Sequence, residues 1–94
     1  MLRKAWNPGD SQLKARTFEI FIEHGELRPN EWAMLADFRP ISSAWSYLKR
    51  QQRWGNLLRG RDRRGRIVYR ISSSGARWLL WWKAQGYRVK VRSL

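Results

Sequence analysis

The chain has 94 residues, of which 43% are hydrophobic, and its 20 Lys and Arg against 7 Asp and Glu give a net charge of +13. A chain of this length forms one domain without a deep enclosed active site, and its apolar content excludes a disordered basic tail. With no Cys and one His, disulfide scaffolds, thiol catalysis and Cys/His zinc sites are excluded. No apolar run approaches the ~20 residues of a membrane span. We therefore expect a soluble, cytoplasmic protein without cofactor or metal.

The positive charge is confined to the second half of the chain. Positions 1–48 hold six basic and six acidic residues, whereas positions 49–94 hold fourteen basic residues and Asp62 as the single acid. This asymmetry indicates a face that meets a polyanion. Arg outnumbers Lys fifteen to five, and the planar guanidinium suits phosphates and guanine edges. The densest basic stretch, 59–66, is typical of a turn and not of a membrane-surface helix, so nucleic acid is favoured.

The first half of the chain predicts an N-terminal tail over 1–10 and then a helix over 11–24 that ends at Gly25. This helix carries two apolar stripes. One stripe meets the core, and the other must be covered by something else. The first stripe is Leu13, Thr17, Ile20, Phe21 and His24, and the second is Ala15, Phe18 and Ile22.

A short extended link over 26–28 leads to two further helices. The second helix runs from about 30 to 37 after Pro29, and Arg39-Pro40 breaks it. The third helix runs from about 41 to 54, where Gly55 ends it. The residues predicted to face inward are Trp32, Leu35 and Ala36 in the second helix and Ile41, Ala44, Leu48 and Trp54 in the third, with Trp45 at the core or its rim.

After Gly55 the periodicity changes to that of strands. Segments 57–59 and 66–71 predict a β-hairpin with an arginine-covered tip, whose turn over 62–65 contains Gly65 for a positive φ. A fourth helix, capped by Ser72 or Ser73, runs to about 85. Positions 87–94 alternate apolar and basic residues, which predicts either an extra strand or a basic arm. The expected fold is mainly α with a small β-hairpin (α+β), in the order α-(β)-α-α-β-β-α, with the domain over 11–86.

This order of elements is the architecture of a winged helix-turn-helix. The segment from Trp32 to Leu58 resembles the helix-turn-helix and the start of the wing in MarR-type and PadR-type DNA-binding proteins. Gln51 departs from the family pattern, which has a core Leu there, and Arg39-Pro40 replaces the usual Gly of the turn. The family's ending, Tyr-x-Leu-Thr-x-x-Gly-x-x-x-Leu, is matched by Tyr69, Ile71, Ser72, Gly75 and Leu79.

The resemblance covers about 13–82 and implies DNA binding, with the third helix in the major groove and the wing along the minor groove or the backbone. Arg63 and Arg64 at the tip are the best candidates for the minor groove. A solvated charged surface is the alternative reading of these residues. The predicted nucleic-acid-binding residues are Ser42, Ser43, Ser46, Lys49, Arg50 and Arg53 in the third helix and Arg59, Arg61, Arg63, Arg64 and Arg66 in the wing.

The tryptophans of the fourth helix predict a homodimer. In the proteins that the chain resembles, the terminal helices form such a dimer. At ~100° per residue, Trp78, Trp81 and Trp82 spread too widely to face one small core, and an exposed aromatic patch marks an interface. A monomer whose tryptophans are covered by 87–94 is the alternative. The predicted interface consists of Phe18, Ile22, Trp78, Trp81 and Trp82.

We therefore expect a small DNA-binding protein that regulates transcription and binds double-stranded DNA. An RNA-binding or nucleoprotein-assembly module and a protein-interaction adaptor on the same scaffold are the alternatives. Catalysis is not expected, since Glu19, Glu23 and His24 lie on an amphipathic surface without converging partners. The extra helices that form the ligand pocket of MarR-type regulators are missing, so no small-molecule ligand is predicted.

Overall fold

The computed structural model describes residues 8–90, which form an α+β fold with the predicted order of elements. Within these residues, a short 3-10 turn precedes the third of four α-helices, and two strands form an antiparallel sheet. No helix in this part of the chain is both long and apolar enough to cross a membrane. The elements are α1 (Pro8–His24), α2 (Pro29–Ala36), the 3-10 turn (Ile41–Ser43), α3 (Ala44–Arg53), β1 (Leu57–Arg61), β2 (Ile67–Ile71) and α4 (Ser73–Ala84).

The helices end where the sequence predicts, but two of them begin elsewhere. Gly25 follows α1 with a φ of 82°, a left-handed conformation that glycine adopts without strain. The first helix begins at Pro8, so positions 8–10 of the predicted tail over 1–10 belong to the helix. Positions 1–7 lie outside the described residues. The predicted third helix is divided, because its first turn is the 3-10 turn that precedes α3.

The hairpin is joined on its other edge by the link between α1 and α2. In the hairpin, the register runs from Leu57 opposite Ile71 to Arg61 opposite Ile67. Leu27 exchanges two backbone hydrogen bonds with Tyr69, of 3.1 and 2.9 Å. The predicted extended link is thus a single bridge that anchors β2 to the helical part of the chain.

The core lies between the helices and the inner face of the hairpin. Phe21, Trp32, Leu48 and Tyr69 are fully buried there. Aromatic rings pack around Trp32, with Tyr47 stacked on it at 5.4 Å between ring centroids. Burial of apolar side chains of this size is the main source of stability in a small domain.

Three residues predicted to face inward in α2 and α3 are exposed. Leu35 is outside because the eight-residue α2 buries the side formed by Trp32, Ala33 and Ala36. Ile41 lies in the 3-10 turn, out of phase with the buried side of α3. Trp54 is 61% exposed, since it follows the last residue of α3 and the backbone no longer has helical geometry there.

Both stripes of α1 are buried in large part by the chain itself. The second stripe packs on α4, where the Phe18 ring meets the Trp78 ring edge to face at 5.6 Å. Phe18 is 0% and Trp82 is 1% exposed, so the prediction of these two residues at a dimer interface is wrong. Their burial is complete within one chain. His24, predicted on the inward stripe, is exposed at the end of the helix.

The segment after α4 lies against α1 and not in the sheet. The Gln12 side chain donates to the Arg88 carbonyl at 2.9 Å and accepts from the Lys90 backbone N–H at 3.1 Å. The Tyr87 ring stacks on Trp82 at 5.4 Å. Of the two predictions for this segment, residues 87–90 form an arm and no strand; positions 91–94 lie outside the described residues. The arm covers Trp82, as the monomer alternative expected for the tryptophans.

Candidate nucleic-acid interface

One side of α3 is buried and the other is polar and positively charged. Ala44, Leu48 and Gln51 recur at helical spacing and are buried. Of the predicted hydroxyls, Ser42 is exposed and Ser43 is half-buried, and both precede α3 in the 3-10 turn. The exposed polar residues of α3 itself, named the outward face below, are Ser46, Lys49, Arg50, Gln52 and Arg53.

Gln51 is buried in place of an apolar residue because it has a polar partner. Its side-chain oxygen accepts a 2.9 Å hydrogen bond from the Asn56 side chain, and its carbonyl accepts from the Asn56 backbone N–H at 2.9 Å. A buried amide is tolerated when its hydrogen bonds are made. Gln51 therefore links the end of α3 to the start of β1.

A compact set of hydrogen bonds, named the junction below, joins α3, β1 and the start of α4. The Asn56 carbonyl accepts from the Ser72 backbone N–H at 3.1 Å. The Ser72 hydroxyl donates to the Gly55 carbonyl at 2.6 Å and accepts from the Gly75 N–H at 3.0 Å, which caps α4. Because the residue that caps α4 is hydrogen-bonded to the residues between α3 and β1, the junction fixes the position of the outward face relative to the hairpin.

Asp62 organises the tip of the hairpin. Its carboxylate accepts from the backbone N–H groups of Arg64 and Arg66 and from the Arg66 guanidinium, each at 2.9 Å. The backbone bond from Arg66 is the largest of the effects that lower the pKa of the Asp62 carboxyl. Gly65, with a φ of 79°, completes a three-residue loop of the kind that favours glycine at its last position. The tip is therefore an ordered turn, as its sequence predicts.

The five arginines predicted in the hairpin differ in what they contact. Arg66 pairs with Asp62, and Arg61 donates to the Gly65 carbonyl at 2.7 Å. Both therefore help to shape the tip. Arg63 and Arg64 are the first two residues of the loop, are exposed, and form no ion pair with any residue in the described part of the chain. The tip presents two guanidinium groups to solvent.

Arg59 lies opposite Tyr69 in the hairpin register. Burial raises the pKa of the Tyr69 hydroxyl, and the positive charge of Arg59 opposes that shift. Arg59 thus has a neighbour within the fold, unlike the two arginines at the tip. Sequence reasoning missed Arg70, which is exposed on the opposite side of β2 from Tyr69; strict alternation along the strand would have found it.

The charge difference between parts of the chain is large. Positions 41–71, which contain α3 and the hairpin, hold nine basic residues and one acid, whereas positions 8–40 hold four basic residues and six acids. Two exposed tryptophans, Trp45 in the first turn of α3 and Trp54 after its end, accompany this charge. Such a surface attracts a polyanion and offers aromatic contacts to it. Among the described residues, no group of three His, Asp or Glu side chains could hold a metal ion.

Comparison with known proteins reveals no relative. No protein family matches the sequence, and neither a curated protein nor a solved structure matches the chain. The interpretation of the basic surface therefore depends on the positions and contacts of its own residues.

Proposed function

We propose that the protein is a DNA-binding protein of the winged helix-turn-helix class that regulates transcription. In this proposal α3 lies in the major groove and the hairpin acts as the wing beside it. The observation that carries the proposal is the concentration of nine basic residues on two neighbouring elements, one a helix with a polar outward face. The major groove of B-DNA, about 12 Å wide, admits a helix of this kind.

The two elements have different roles in this proposal. The hydroxyls of Ser42 and Ser46 lie toward the N-terminal end of the helical segment, the end from which helix-turn-helix proteins contact base edges. Lys49, Arg50 and Arg53 lie further along and contact phosphates, which set register and orientation. The hairpin places Arg63 and Arg64 in the minor groove or on the backbone, where a narrow groove attracts guanidinium groups.

In the same proposal the protein binds as a homodimer through a smaller surface than the sequence predicts. Ile22 on α1 and Trp81 on α4 are each 52% exposed, and Leu80 beside Trp81 is 69% exposed. Trp78 is half-buried, and the centroid of its ring lies 6.5 Å from that of Trp81. A second copy that covers these side chains would give the two-fold symmetry with which helix-turn-helix dimers read paired half-sites.

Binding to duplex DNA, measured as a function of salt concentration, tests the proposal. Neutralisation of roughly 5–8 phosphates predicts an affinity that falls about a thousandfold between about 50 and 200 mM salt. Replacement of Arg63 and Arg64 by Ala lowers the slope of log affinity against log salt by about two. The matched control is R77A/R88A, which removes the same charge from α4 and the arm and leaves α3 and the hairpin unchanged.

Two results would contradict the proposal. Equal affinity for double-stranded RNA and duplex DNA would favour the RNA-binding alternative, because A-form RNA closes its major groove to side chains. An unchanged slope in the Arg63 and Arg64 variant would show that the hairpin does not contact the DNA backbone. Selection of bound duplexes from a random pool then tests sequence reading, and a palindromic consensus is the expected result.

A further inference from the structure

Trp45 is a large apolar side chain on the polar side of α3. It lies in the first turn of the helix, outside the buried stripe, and 45% of its surface is exposed. Its neighbours along the chain at helical spacing are Ser42 before it and Lys49 after it, with Ser46 next to it. Within residues 8–90 its ring joins none of the aromatic pairs that build the core, such as Trp32 with Tyr47.

The surroundings of Trp45 define what could cover it. An exposed indole gains free energy when a partner removes it from water. The partner of this face must also accept the positive charge of Lys49 and the hydroxyls of Ser42 and Ser46. The indole is much longer than these serine side chains, so it reaches further from the helix than they do and offers an apolar surface beside them. The partner is therefore anionic and presents an apolar group within a polar groove.

Duplex DNA has one such group in its major groove. The base faces are stacked, and the C5 methyl of thymine is the apolar group that remains accessible, next to the O4 acceptor. The indole of Trp45 offers an apolar edge and one N–H donor. Resting on the proposed function, we propose that Trp45 is a specificity residue that selects thymine in the major groove by contact with its C5 methyl. Serine hydroxyls both donate and accept, so they discriminate less between bases.

Trp54 provides a natural comparison on the same part of the molecule. It is more exposed than Trp45, at 61%, but it follows the last residue of α3 and lies beside Arg53. Nine positions along a helix correspond to about 13 Å, so the two rings meet different parts of a bound duplex. The N-terminal residues of a recognition helix contact base edges, which assigns base contact to Trp45 and not to Trp54.

Replacement of thymine by uracil tests the inference directly, because uracil lacks only the C5 methyl and keeps the same hydrogen-bonding groups. Duplexes selected from a random pool are prepared with each thymine replaced in turn, and their affinities for the wild-type protein are compared. At one position in each half-site, we expect uracil to weaken binding about fourfold, the effect of one buried methyl group. The W45A variant should bind thymine and uracil duplexes equally, whereas W45F should keep a difference.

Because Trp45 is half exposed, W45A should fold, and its circular dichroism should match that of the wild type. W54A is the control and should keep the full difference between thymine and uracil, whatever its overall affinity. Equal binding of both bases by the wild type, or a difference that persists in W45A, would overturn the inference while the DNA-binding proposal stands. Preference for single strands without dependence on the methyl would assign Trp45 to base stacking instead. Failure to bind any duplex would overturn both proposals.

Discussion

Replacement of Gly75 by Ala tests the junction that joins α4 to α3 and the hairpin. A Cβ atom on Gly75 would collide with the Asn56 carbonyl oxygen and lie 3.2 Å from both the Asn56 carbonyl carbon and Ile71 Cδ1. In an ordinary helix, Ala in place of Gly stabilises by about 0.5–1 kcal/mol. Overpacking costs about 1–3 kcal/mol, and the upper end applies because the obstacle is backbone. We expect a net destabilisation of about 2 kcal/mol.

Urea denaturation followed by tryptophan fluorescence measures this loss, and a thermal melt should show a midpoint lower by roughly 8–16 °C. The control is Gly60→Ala in β1, where the new Cβ would meet only the flexible end of Arg70, at 3.7 Å. That variant should be neutral or slightly more stable, since Ala restricts the unfolded chain. A G75A protein as stable as the wild type would show that α4 does not lie against the Asn56 carbonyl.

Three further predictions concern the polar pair, the tip and the dimer. Gln51→Ala should lower the free energy of unfolding by about 2 kcal/mol, because it leaves the buried amide donor of Asn56 without its partner. Urea denaturation measures this loss. In the control, Gln52→Ala at the exposed neighbouring position, the free energy of unfolding should change by less than about 0.5 kcal/mol. The contacts that lower the pKa of Asp62 stabilise the tip at pH values above the ordinary pKa of Asp. This stabilisation is lost as the pH falls through the lowered pKa. Protection of the tip amides, taken as their exchange relative to the intrinsic rate at each pH, should therefore fall in acid for the wild type, and should already be low at neutral pH in D62N. Sedimentation should find a dimer at micromolar concentration and a monomer for Trp81→Arg; a monomeric wild type would contradict the dimer.

The order and type of the elements could be predicted because local signals determine them. Helical periodicity, a proline at the start of α2 and the change of period after Gly55 all act over a few residues. The same holds for the turn around Asp62, where side-chain and backbone hydrogen bonds span four residues. Such features depend little on the rest of the fold.

The errors came from helix ends and from distant contacts. Trp54 continues the helical spacing of the buried residues of α3. The backbone leaves the helix there, however, so the periodicity no longer describes where its side chain points. Phe18 was predicted at a dimer interface because α1 has two apolar stripes, and its contact with Trp78 joins residues far apart in the chain. Whether a stripe is covered by the same chain or by a second copy depends on that packing, which no local pattern contains.

The junction has a consequence for the speed and strength of association. Because Ser72 and Asn56 already join α4 to the segment between α3 and β1 in the free protein, the proposed function implies that the helix and the hairpin would meet a duplex in one preorganised arrangement. The loss of conformational entropy occurs during folding and not during binding. In that proposal, the rate of encounter would be set mainly by long-range attraction between the basic surface and the phosphates, and not by a slow rearrangement of the protein.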